Sequence, residues 1–144
     1  MLVKEAMSRD VKTISPQQPI QEAARIMLDI DVGSLPVGDN DRLVGMITDR
    51  DIAVRGVASG KAPSTRVEEV MSREVRYCFE DEDTAHVALN MGQEQIRRLP
   101  VVDRNKRLVG ILSLADLATS AKTGQATAAL SGISQAGGSH SQSA

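Results

Sequence analysis

Aromatic residues are almost missing from this sequence. Tyr77 and Phe79 are the only two among 144 residues, and there is no tryptophan. The hydrophobic fraction of 41% and the charged fraction of 25% are ordinary for a globular protein, so a core can form, and it must be aliphatic. Two rings cannot supply a platform for stacked bases, and a net charge of -2 gives no general attraction to phosphates. Nucleic acid is therefore not expected as a partner.

Cysteine and histidine are also scarce. Cys78 is the single cysteine, which excludes an internal disulfide and a cysteine-rich metal site. It lies in the apolar stretch V-R-Y-C-F, so we expect a buried side chain and not a reactive thiol. His86 and His140 have no second histidine or cysteine at metal-ligand spacing, so no metal site is expected.

Long hydrophobic runs are absent as well. No apolar stretch approaches the roughly 20 residues that cross a bilayer. The first residues, M-L-V-K-E-A-M, lack the apolar region of a signal peptide. The expectation from these two absences is a cytoplasmic protein without a membrane segment.

The sequence does contain a long internal repeat. Both copies carry V-x-E-x-M-S-R, an apolar helical pattern, L-P-V, R-L-V-G and [TS]-x-x-D, and they span Val3 to Val54 and Val67 to Ala118. The unit is longer than the roughly 20–50 residues of solenoid repeats, which predicts two lobes that complete each other's core about a pseudo-twofold axis. Pockets where such lobes meet are common ligand sites, so the repeat favours binding over a single catalytic centre.

Each copy predicts the same order of elements, β-α-β-β-α, after a short helical lead-in around Val3 to Met7 or Val67 to Met71. The first strands are predicted at Val11 to Ile14 and Val75 to Phe79, the third strands at Leu43 to Ile47 and Leu108 to Leu112, and the last helices from about Asp49 and Leu114. The predicted fold is therefore α/β (α+β), with two repeats packed symmetrically. We predict repeats at 1–58 and 67–119, a linker at 59–66, and a disordered low-complexity tail at 120–144.

The motif G-h-h-[TS]-x-x-D ends each copy at the predicted change from strand to helix. Thr48 with Asp51, and Ser113 with Asp116, have the spacing of a variant capping box, which would stabilise the helix by about 1 kcal/mol. The same geometry presents free N–H groups and a positive dipole end to an anion. On that interpretation Thr48 suits a phosphate and Asp51 a ribose diol, and both interpretations stay open.

Several segments together resemble a known family. They are T-I-S-P-x-x-P-I-x-E-A-A-x-x-M, L-P-V, R-L-V-G-M-I-T-D-R-D-I and R-R-L-P-V-V-D-R-N-K-R-L-V-G-I-L-S-L-A-D-L, and they resemble tandem cystathionine β-synthase (CBS) domains over about Leu2 to Thr119. The resemblance implies a Bateman module that binds AMP, ATP, NAD or S-adenosylmethionine in clefts between the repeats. It implies regulation and no catalytic cofactor.

The resemblance also implies site residues. The hydroxyl and the aspartate of the motif would contact phosphate and ribose, which carries over to Thr48, Asp51, Ser113 and Asp116. Adenine would lie against Val11, Thr13, Ile14, Ser34, Leu35 and Pro36 in one site, and against Tyr77, Arg98, Leu99 and Pro100 in the other. Because the two sets differ in sequence, two sites of different affinity, or one inactive site, would follow.

Arginines near the motifs are candidate phosphate ligands. Arg50 could neutralise a phosphate in the first site, and Arg97 or Arg98 could do so in the second. The alternative for each is a solvated surface charge. Without such a contact, an uncharged adenosine moiety fits the cleft better.

Three function classes compete at this point. The leading hypothesis is a sensor of adenine nucleotides that signals to a separate partner, and the resemblance adds a disc-shaped homodimer. The alternative is a structural or protein-interaction module in which the motifs only cap helices. An enzyme is not expected, because the sequence offers no base, nucleophile or metal cluster beyond capping carboxylates and isolated histidines.

Overall fold

A computed structural model describes residues 1–120 of the chain. The helices are α1 (Val3–Ala6), α2 (Ile20–Ile30), α3 (Thr84–Glu94) and α4 (Leu114–Ser120), and the strands are β1 (Ser34–Asp39), β2 (Arg42–Thr48), β3 (Cys78–Phe79), β4 (Arg98–Val102) and β5 (Leu108–Ser113). The predicted mixture of helix and strand is confirmed. From residue 121 onward, the predicted disordered tail lies outside the described residues.

The predicted first strand is wrong in the first repeat and is shorter than predicted in the second. Between Val11 and Ile14 only Ile14 pairs, through a single parallel bridge to Val37, and Lys12 and Thr13 are exposed. The second segment shortens to Cys78–Phe79, which forms β3 parallel to β4. In both segments the pairing includes the buried side chain, Ile14 or Cys78, and the residues before it are half-buried or exposed.

Residues 12–75 form one compact unit around an antiparallel hairpin of β1 and β2. Leu35 lies opposite Ile47 in the hairpin, and both side chains are almost fully buried. Helix α2 buries Ile20, Ala23 and Met27, which recur at helical spacing. The core of this unit is therefore aliphatic, as the composition predicts.

Residues 1–11 and 76–120 form the second compact unit, in which β4 lies between β3 and β5. Helix α3 begins after Asp83, whose carboxylate accepts the main-chain N–H of Ala85 at 2.8 Å. The buried face of α3 carries Val87 and Met91. The two cores have the same architecture, which is the structural counterpart of the sequence repeat.

The boundaries of the two units differ from those of the repeats. The lead-in of the first repeat pairs with the hairpin of the second, because Ser8 and Ile111 exchange main-chain hydrogen bonds of 2.9 Å. The lead-in of the second repeat pairs with the hairpin of the first, because Ser72 and Met46 exchange equivalent bonds of 2.9 Å. Each compact unit therefore takes its lead-in from the other repeat.

The helices that follow the two hairpins have different hydrogen bonding. The segment Asp51–Val57 is a π-helix, and the N–H of Ala58 reaches back five residues to the carbonyl of Ala53 at 2.9 Å. Its counterpart α4 is a regular α-helix. Among the helices of residues 1–120, none has the length and apolar character that a bilayer crossing requires.

Replacing Gln95 with glycine is expected to stabilise the protein by about 0.5–1 kcal/mol. Gln95 ends α3 with a φ of 59° and a ψ of 45°, a left-handed conformation that glycine adopts without the steric cost of a Cβ. Thermal or urea unfolding measures the change. Gln93→Gly is the control: it lies inside the same helix and should lower stability by about 1 kcal/mol. Equal effects of the two changes would contradict the prediction.

Candidate functional site

Both predicted hydroxyl–aspartate pairs are formed as reciprocal hydrogen bonds. The main-chain N–H of Thr48 donates to Asp51 Oδ2 and the N–H of Asp51 donates to Thr48 Oγ1, both at 3.0 Å. The N–H of Ser113 donates to Asp116 Oδ2 at 2.9 Å, and the N–H of Asp116 donates to Ser113 Oγ at 3.1 Å. The capping-box geometry is thus present in both copies, and all four residues are partly buried.

The capping bonds leave these groups with further hydrogen-bonding capacity. Each hydroxyl accepts in the cap, so its own proton stays available to donate, and a carboxylate has about four acceptor positions in total. At each helix start, therefore, a hydroxyl donor and a carboxylate acceptor lie together on a partly buried surface, and the charge of Asp116 also acts on Arg98. A phosphate and a ribose diol need these two kinds of group.

The hairpins place one further candidate opposite each hydroxyl. Ser34 lies opposite Thr48 in the pairing of β1 with β2, and Arg98 lies opposite Ser113 in the pairing of β4 with β5. Ser34 is buried and Arg98 half-buried. Burial lowers the pKa of Arg98, and the negative charge of Asp116 opposes that shift. The structure therefore brings together Ser34, Thr48 and Asp51 in one unit and Arg98, Ser113 and Asp116 in the other.

The apolar candidates for contact with adenine are core residues. Ile14 and Leu35 are each 1% exposed and Leu99 is 6% exposed, and Pro36 and Pro100 are buried. The N–H of Ile14 donates to the carbonyl of Pro36 at 3.2 Å, and its carbonyl accepts the N–H of Gly38 at 2.9 Å. Their side chains pack inside the units, and an adenine contact at these positions stays a prediction.

The remaining first-strand candidates differ in place and exposure. Thr13 is exposed and belongs to the unit of residues 12–75, together with Ser34 and Thr48. Val11 is half-buried and belongs to the other compact unit. The structure therefore does not gather Val11 with the rest of its predicted set inside one unit.

The family of the chain follows from a match that covers both repeats. The model of the CBS domain family matches residues 3–56 and again 67–122. The chain belongs to the CBS domain family. The resemblance read from the sequence is confirmed, and so is the fold class with its two CBS repeats.

Curated relatives and solved structures share this organisation. The CBS domain-containing protein YhcV of Bacillus subtilis is 46% identical over 133 residues, which are 92% of this chain and 94% of YhcV. The crystal structure of Hypoxic Response Protein I with two coordinated zinc ions has a TM-score of 0.75 at 34% identity, over 85% of this chain and 100% of that chain. The CBS domain pair of protein MJ0100, in complex with 5′-methylthioadenosine and S-adenosyl-L-methionine, has a TM-score of 0.70 at 38% identity, over 83% and 98% of the two chains.

Enzymes also appear among the relatives, but the match covers only a small part of each. The inosine-5′-monophosphate dehydrogenase of Methanocaldococcus jannaschii is 36% identical over 123 residues, which are 24% of that enzyme. Within residues 1–120 of this CBS protein, no group of three or more His, Cys, Asp or Glu side chains could hold a metal ion. Because the match covers 24% of that enzyme and the CBS family model covers both repeats of this chain, the similarity is one between CBS domains.

Of the arginines predicted near the motifs only Arg98 is half-buried, and an arginine that was not predicted, Arg55, contacts Asp51. Arg50 and Arg97 are both exposed. Arg55 instead places its Nη1 4.0 Å from Asp51 Oδ1, and the same atom donates to the carbonyls of Val70 at 3.2 Å and Met71 at 3.3 Å. Sequence reasoning missed Arg55, although its position four residues after Asp51 on a helix is the spacing of an ion pair.

The second CBS repeat also contains an aromatic and cationic cluster that the sequence did not indicate. The rings of Tyr77 and Phe79 meet edge to face, with centroids 5.7 Å apart. Lys106 lies 5.3 Å from the centroid of Tyr77 and Arg104 lies 4.3 Å from that of Phe79. Arg104 also forms two hydrogen bonds with the carboxylate of Asp81, at 2.8 and 3.0 Å. Tyr77 is thus fixed beside the turn between β4 and β5.

Cys78 is expected to react with thiol reagents only when the CBS protein unfolds. Burial, with a smaller contribution from the charge of Glu82, raises the pKa of Cys78 from 9.0 to about 12, so the native thiol stays protonated at about pH 8. Titration with a chromogenic disulfide, with and without denaturant, measures this. Since the unfolded thiol ionises first, the free energy of unfolding should also fall as the pH rises above about 9. Rapid labelling of the native protein would contradict the prediction.

Proposed function

We propose that this protein is a non-catalytic regulatory module that binds an adenosyl ligand of the AMP, ATP, NAD or S-adenosylmethionine type. The observation that carries the proposal is the reciprocal hydroxyl–aspartate pair at the start of the helix after each hairpin. Thr48 and Ser113 donate to a phosphate or to the 5′ substituent of the ligand, while Asp51 and Asp116 accept from the ribose hydroxyls. The adenosyl ligands of protein MJ0100 support this chemical class.

The helix starts add to the proposed phosphate contacts. A helix presents unpaired N–H groups and a partial positive charge at its first turn, which favours an anion there. Arg50, whose side chain is exposed, lies in the first turn of the helix that begins at Asp49 and continues as a π-helix from Asp51. In the proposed site Arg50 provides a solvent-side charge for a phosphorylated ligand.

Isothermal titration of the nucleotide-free protein with AMP, ADP, ATP, NAD, NADH and S-adenosylmethionine tests the proposal. Asp51→Asn and Asp116→Asn are the informative variants, because an amide oxygen still accepts the capping N–H while the negative charge is lost. Asp39→Asn is the matched control, since it removes the same charge from an exposed position of β1. We expect saturable binding that one or both site variants weaken and the control leaves unchanged.

The outcome that contradicts the proposal is equally clear. If none of these ligands produces a heat of binding, and the same protein sample unfolds cooperatively and is therefore folded, the two motifs act only as helix caps. A reaction product, detected by chromatography after long incubation with a bound nucleotide, would contradict the non-catalytic part alone.

We also propose that the module signals through association with itself or with a separate partner protein. Large apolar side chains are exposed on the helices of both units: Leu28 at 80%, Val57 at 68% and Leu89 at 51%. Burying them against a second chain would remove apolar surface from water, so we propose these helices as the contact. Light scattering should report a dimer, and Leu28→Glu and Val57→Glu should convert it to a monomer if these helices form the contact.

The interaction module without a ligand is the second candidate function. The observation that favours it is that the caps are complete without any ligand, since both reciprocal pairs are already formed. An association that is unchanged by saturating AMP, ATP, NAD or S-adenosylmethionine would favour this candidate over the sensor.

A further inference from the structure

Arg55 contacts both the proposed site in residues 12–75 and the lead-in of the second repeat. Its Nη1 lies 4.0 Å from Oδ1 of Asp51, which precedes it by one helical turn. The same nitrogen donates to the carbonyls of Val70 at 3.2 Å and Met71 at 3.3 Å. Both of these residues belong to the lead-in and are buried in the core of this unit. One side chain therefore joins the start of the helix to the lead-in.

The two carboxylate oxygens of Asp51 have different neighbours. Oδ2 accepts the main-chain N–H of Thr48 at 3.0 Å and belongs to the helix cap. Oδ1 faces Arg55, and at 4.0 Å this contact is a charge attraction and not a hydrogen bond. The ion pair thus leaves the lone pairs of Oδ1 available to a hydroxyl donor. The oxygen that suits a ribose hydroxyl is therefore the same oxygen that attracts Arg55.

The lead-in of the second repeat is also tied to β2. Ser72 and Met46 exchange main-chain hydrogen bonds of 2.9 Å, and Met46 lies two residues before Thr48 in the strand. The lead-in is thus held by β2 through its main chain and by Arg55 through its carbonyls. If the contact with Arg55 weakens, the lead-in opens more often without unfolding of the whole unit, and exchange of the Ser72 N–H with solvent reports that opening.

The other proposed site differs at the position of this arginine. The residue that corresponds to Arg55 in the second repeat is Ser120. Serine has no charge to attract Asp116, and it is too short to take the place of an arginine that reaches two carbonyls of a lead-in. The duplication has therefore kept the aspartate in both copies but the arginine in only one.

We propose that Arg55 is a positioning residue that couples the proposed site at Asp51 to the lead-in of the second repeat. The charge of Asp51 attracts the guanidinium and keeps it on the carbonyls of Val70 and Met71. Ribose hydroxyls that donate to Oδ1 partly neutralise that charge, so the lead-in opens more often when the site is occupied. The site at Asp116 has no such coupling. Only the ligand step rests on the proposed function, because the coupling is a property of the protein without ligand.

Hydrogen exchange of the Ser72 N–H, measured by NMR, tests the coupling in the ligand-free protein. Its rate is compared with that of the Gly38 N–H, which donates to the carbonyl of Ile14 at 2.9 Å in the same unit. Asp51→Asn keeps an acceptor for the cap and removes the charge. It should raise the ratio of the two rates about twofold, the effect expected from loss of an ion pair one helical turn apart.

A double variant separates this coupling from helix capping. Arg55→Met should raise the exchange ratio about fivefold by itself, because it removes the hydrogen bonds to both carbonyls. In that background Asp51→Asn should have no further effect. Arg55→Lys should keep part of the Asp51→Asn effect, because lysine keeps the charge but not the planar set of donors. Arg25→Gln is the matched control, since it removes the same charge from an exposed position of α2 and should change neither result.

The other unit provides an internal comparison. The Ser8 N–H donates to the carbonyl of Ile111 at 2.9 Å, and the Glu80 N–H donates to that of Val102 at 3.0 Å. Asp116→Asn should leave the ratio of these two exchange rates unchanged, because no arginine follows the aspartate by four residues. A twofold rise there would show that loss of the cap charge loosens a lead-in without an arginine, and the inference would be wrong.

Saturating AMP tests the ligand step in the Asp116→Asn protein. AMP should raise the exchange ratio of Ser72 when Arg55 is present and leave it unchanged in Arg55→Met. If AMP binds without changing the ratio, the ligand step is wrong and the sensor stands. If AMP does not bind, the ligand step and the proposed AMP site fail together, and the double variant still decides the coupling. An Asp51→Asn effect that is absent, or equal with and without Arg55, overturns the inference.

Discussion

Replacing Gly110 with alanine is expected to lower the free energy of unfolding by about 1–3 kcal/mol. A Cβ at this position would lie 2.8 Å from the carbonyl oxygen of Ser8 and would also overlap the sulfur of Met7. The methionine side chain can move, but the carbonyl cannot move freely, because Ser8 exchanges two main-chain hydrogen bonds of 2.9 Å with Ile111. The added methyl group must therefore push the lead-in away from β5. Urea unfolding followed by circular dichroism measures the loss.

Gly45→Ala should have a similar effect in the other unit. Its Cβ would lie 2.8 Å from the carbonyl oxygen of Ser72 and 2.8 Å from the sulfur of Met71. Gly38→Ala is the control, because its nearest neighbour, the carbonyl oxygen of Arg42, is 3.8 Å away. If Gly38→Ala lowers the free energy of unfolding as much as Gly45→Ala and Gly110→Ala do, then the close approach of the lead-ins does not cause the destabilisation.

Much of each hairpin and helix could be predicted from local sequence. L-P-V and R-L-V-G mark β1, β2, β4 and β5, because apolar residues there are bounded by turn residues. The 3.6-residue spacing of Ile20, Ala23 and Met27 marks α2, and those three side chains are buried. These signals lie within a few residues of each other, so no long-range partner is needed to interpret them.

The errors occur where the partner is far away in sequence. Val11 to Ile14 has the composition of a strand, but pairing needs the edge of β1, and only Ile14 reaches it. The pairing of the lead-ins is even harder to predict, because their partners lie in the other repeat. Ser8 pairs with Ile111, and Ser72 pairs with Met46, whereas a repeat pattern alone gives no reason to pair a lead-in with the opposite copy.

In the candidate site, too, local features could be predicted from the sequence and long-range contacts could not. The capping spacing of Thr48 with Asp51 predicted the pairs that the structure contains. The position of Ser34 opposite Thr48 depends on the register of the hairpin, which includes a bulge between Val37 and Gly38. The spacing of Arg55 from Asp51 indicates an ion pair, and this signal was missed. Its bonds to Val70 and Met71 reach across the linker and could not be predicted from local sequence.

A fragment of residues 12–75 is expected to unfold cooperatively, whereas a fragment of equal length, 1–64, is not. The two share residues 12–64 and differ only in which lead-in they carry. The segment 65–75 supplies Val67, Val70 and Met71 to the core of this unit, and each such buried side chain contributes about 1.5–3 kcal/mol. Residues 1–11 supply Val3 and Met7 to the other core instead.

Main-chain hydrogen bonds also favour folding of fragment 12–75 over fragment 1–64. The N–H of Ile20 donates to the carbonyl of Thr65, and the N–H of Val67 donates to the carbonyl of Gln18, both at 2.8 Å. Fragment 1–64 loses both bonds at the start of α2 together with the three apolar side chains. A domain of about 60 residues is only marginally stable. The loss of these bonds and side chains is therefore enough to prevent fragment 1–64 from folding.

Urea titration of both fragments, followed by circular dichroism, makes the comparison. Fragment 12–75 should give a sigmoidal transition that Val67→Asp removes, because Val67 is fully buried in this core and an unpaired buried carboxylate is costly. An equal or higher midpoint for fragment 1–64 would contradict the unit boundaries. Cooperative unfolding of 12–75 alone would mean that the folding unit of this protein begins within one sequence repeat and ends within the next, so a fragment cut at the repeat boundary would contain a divided core.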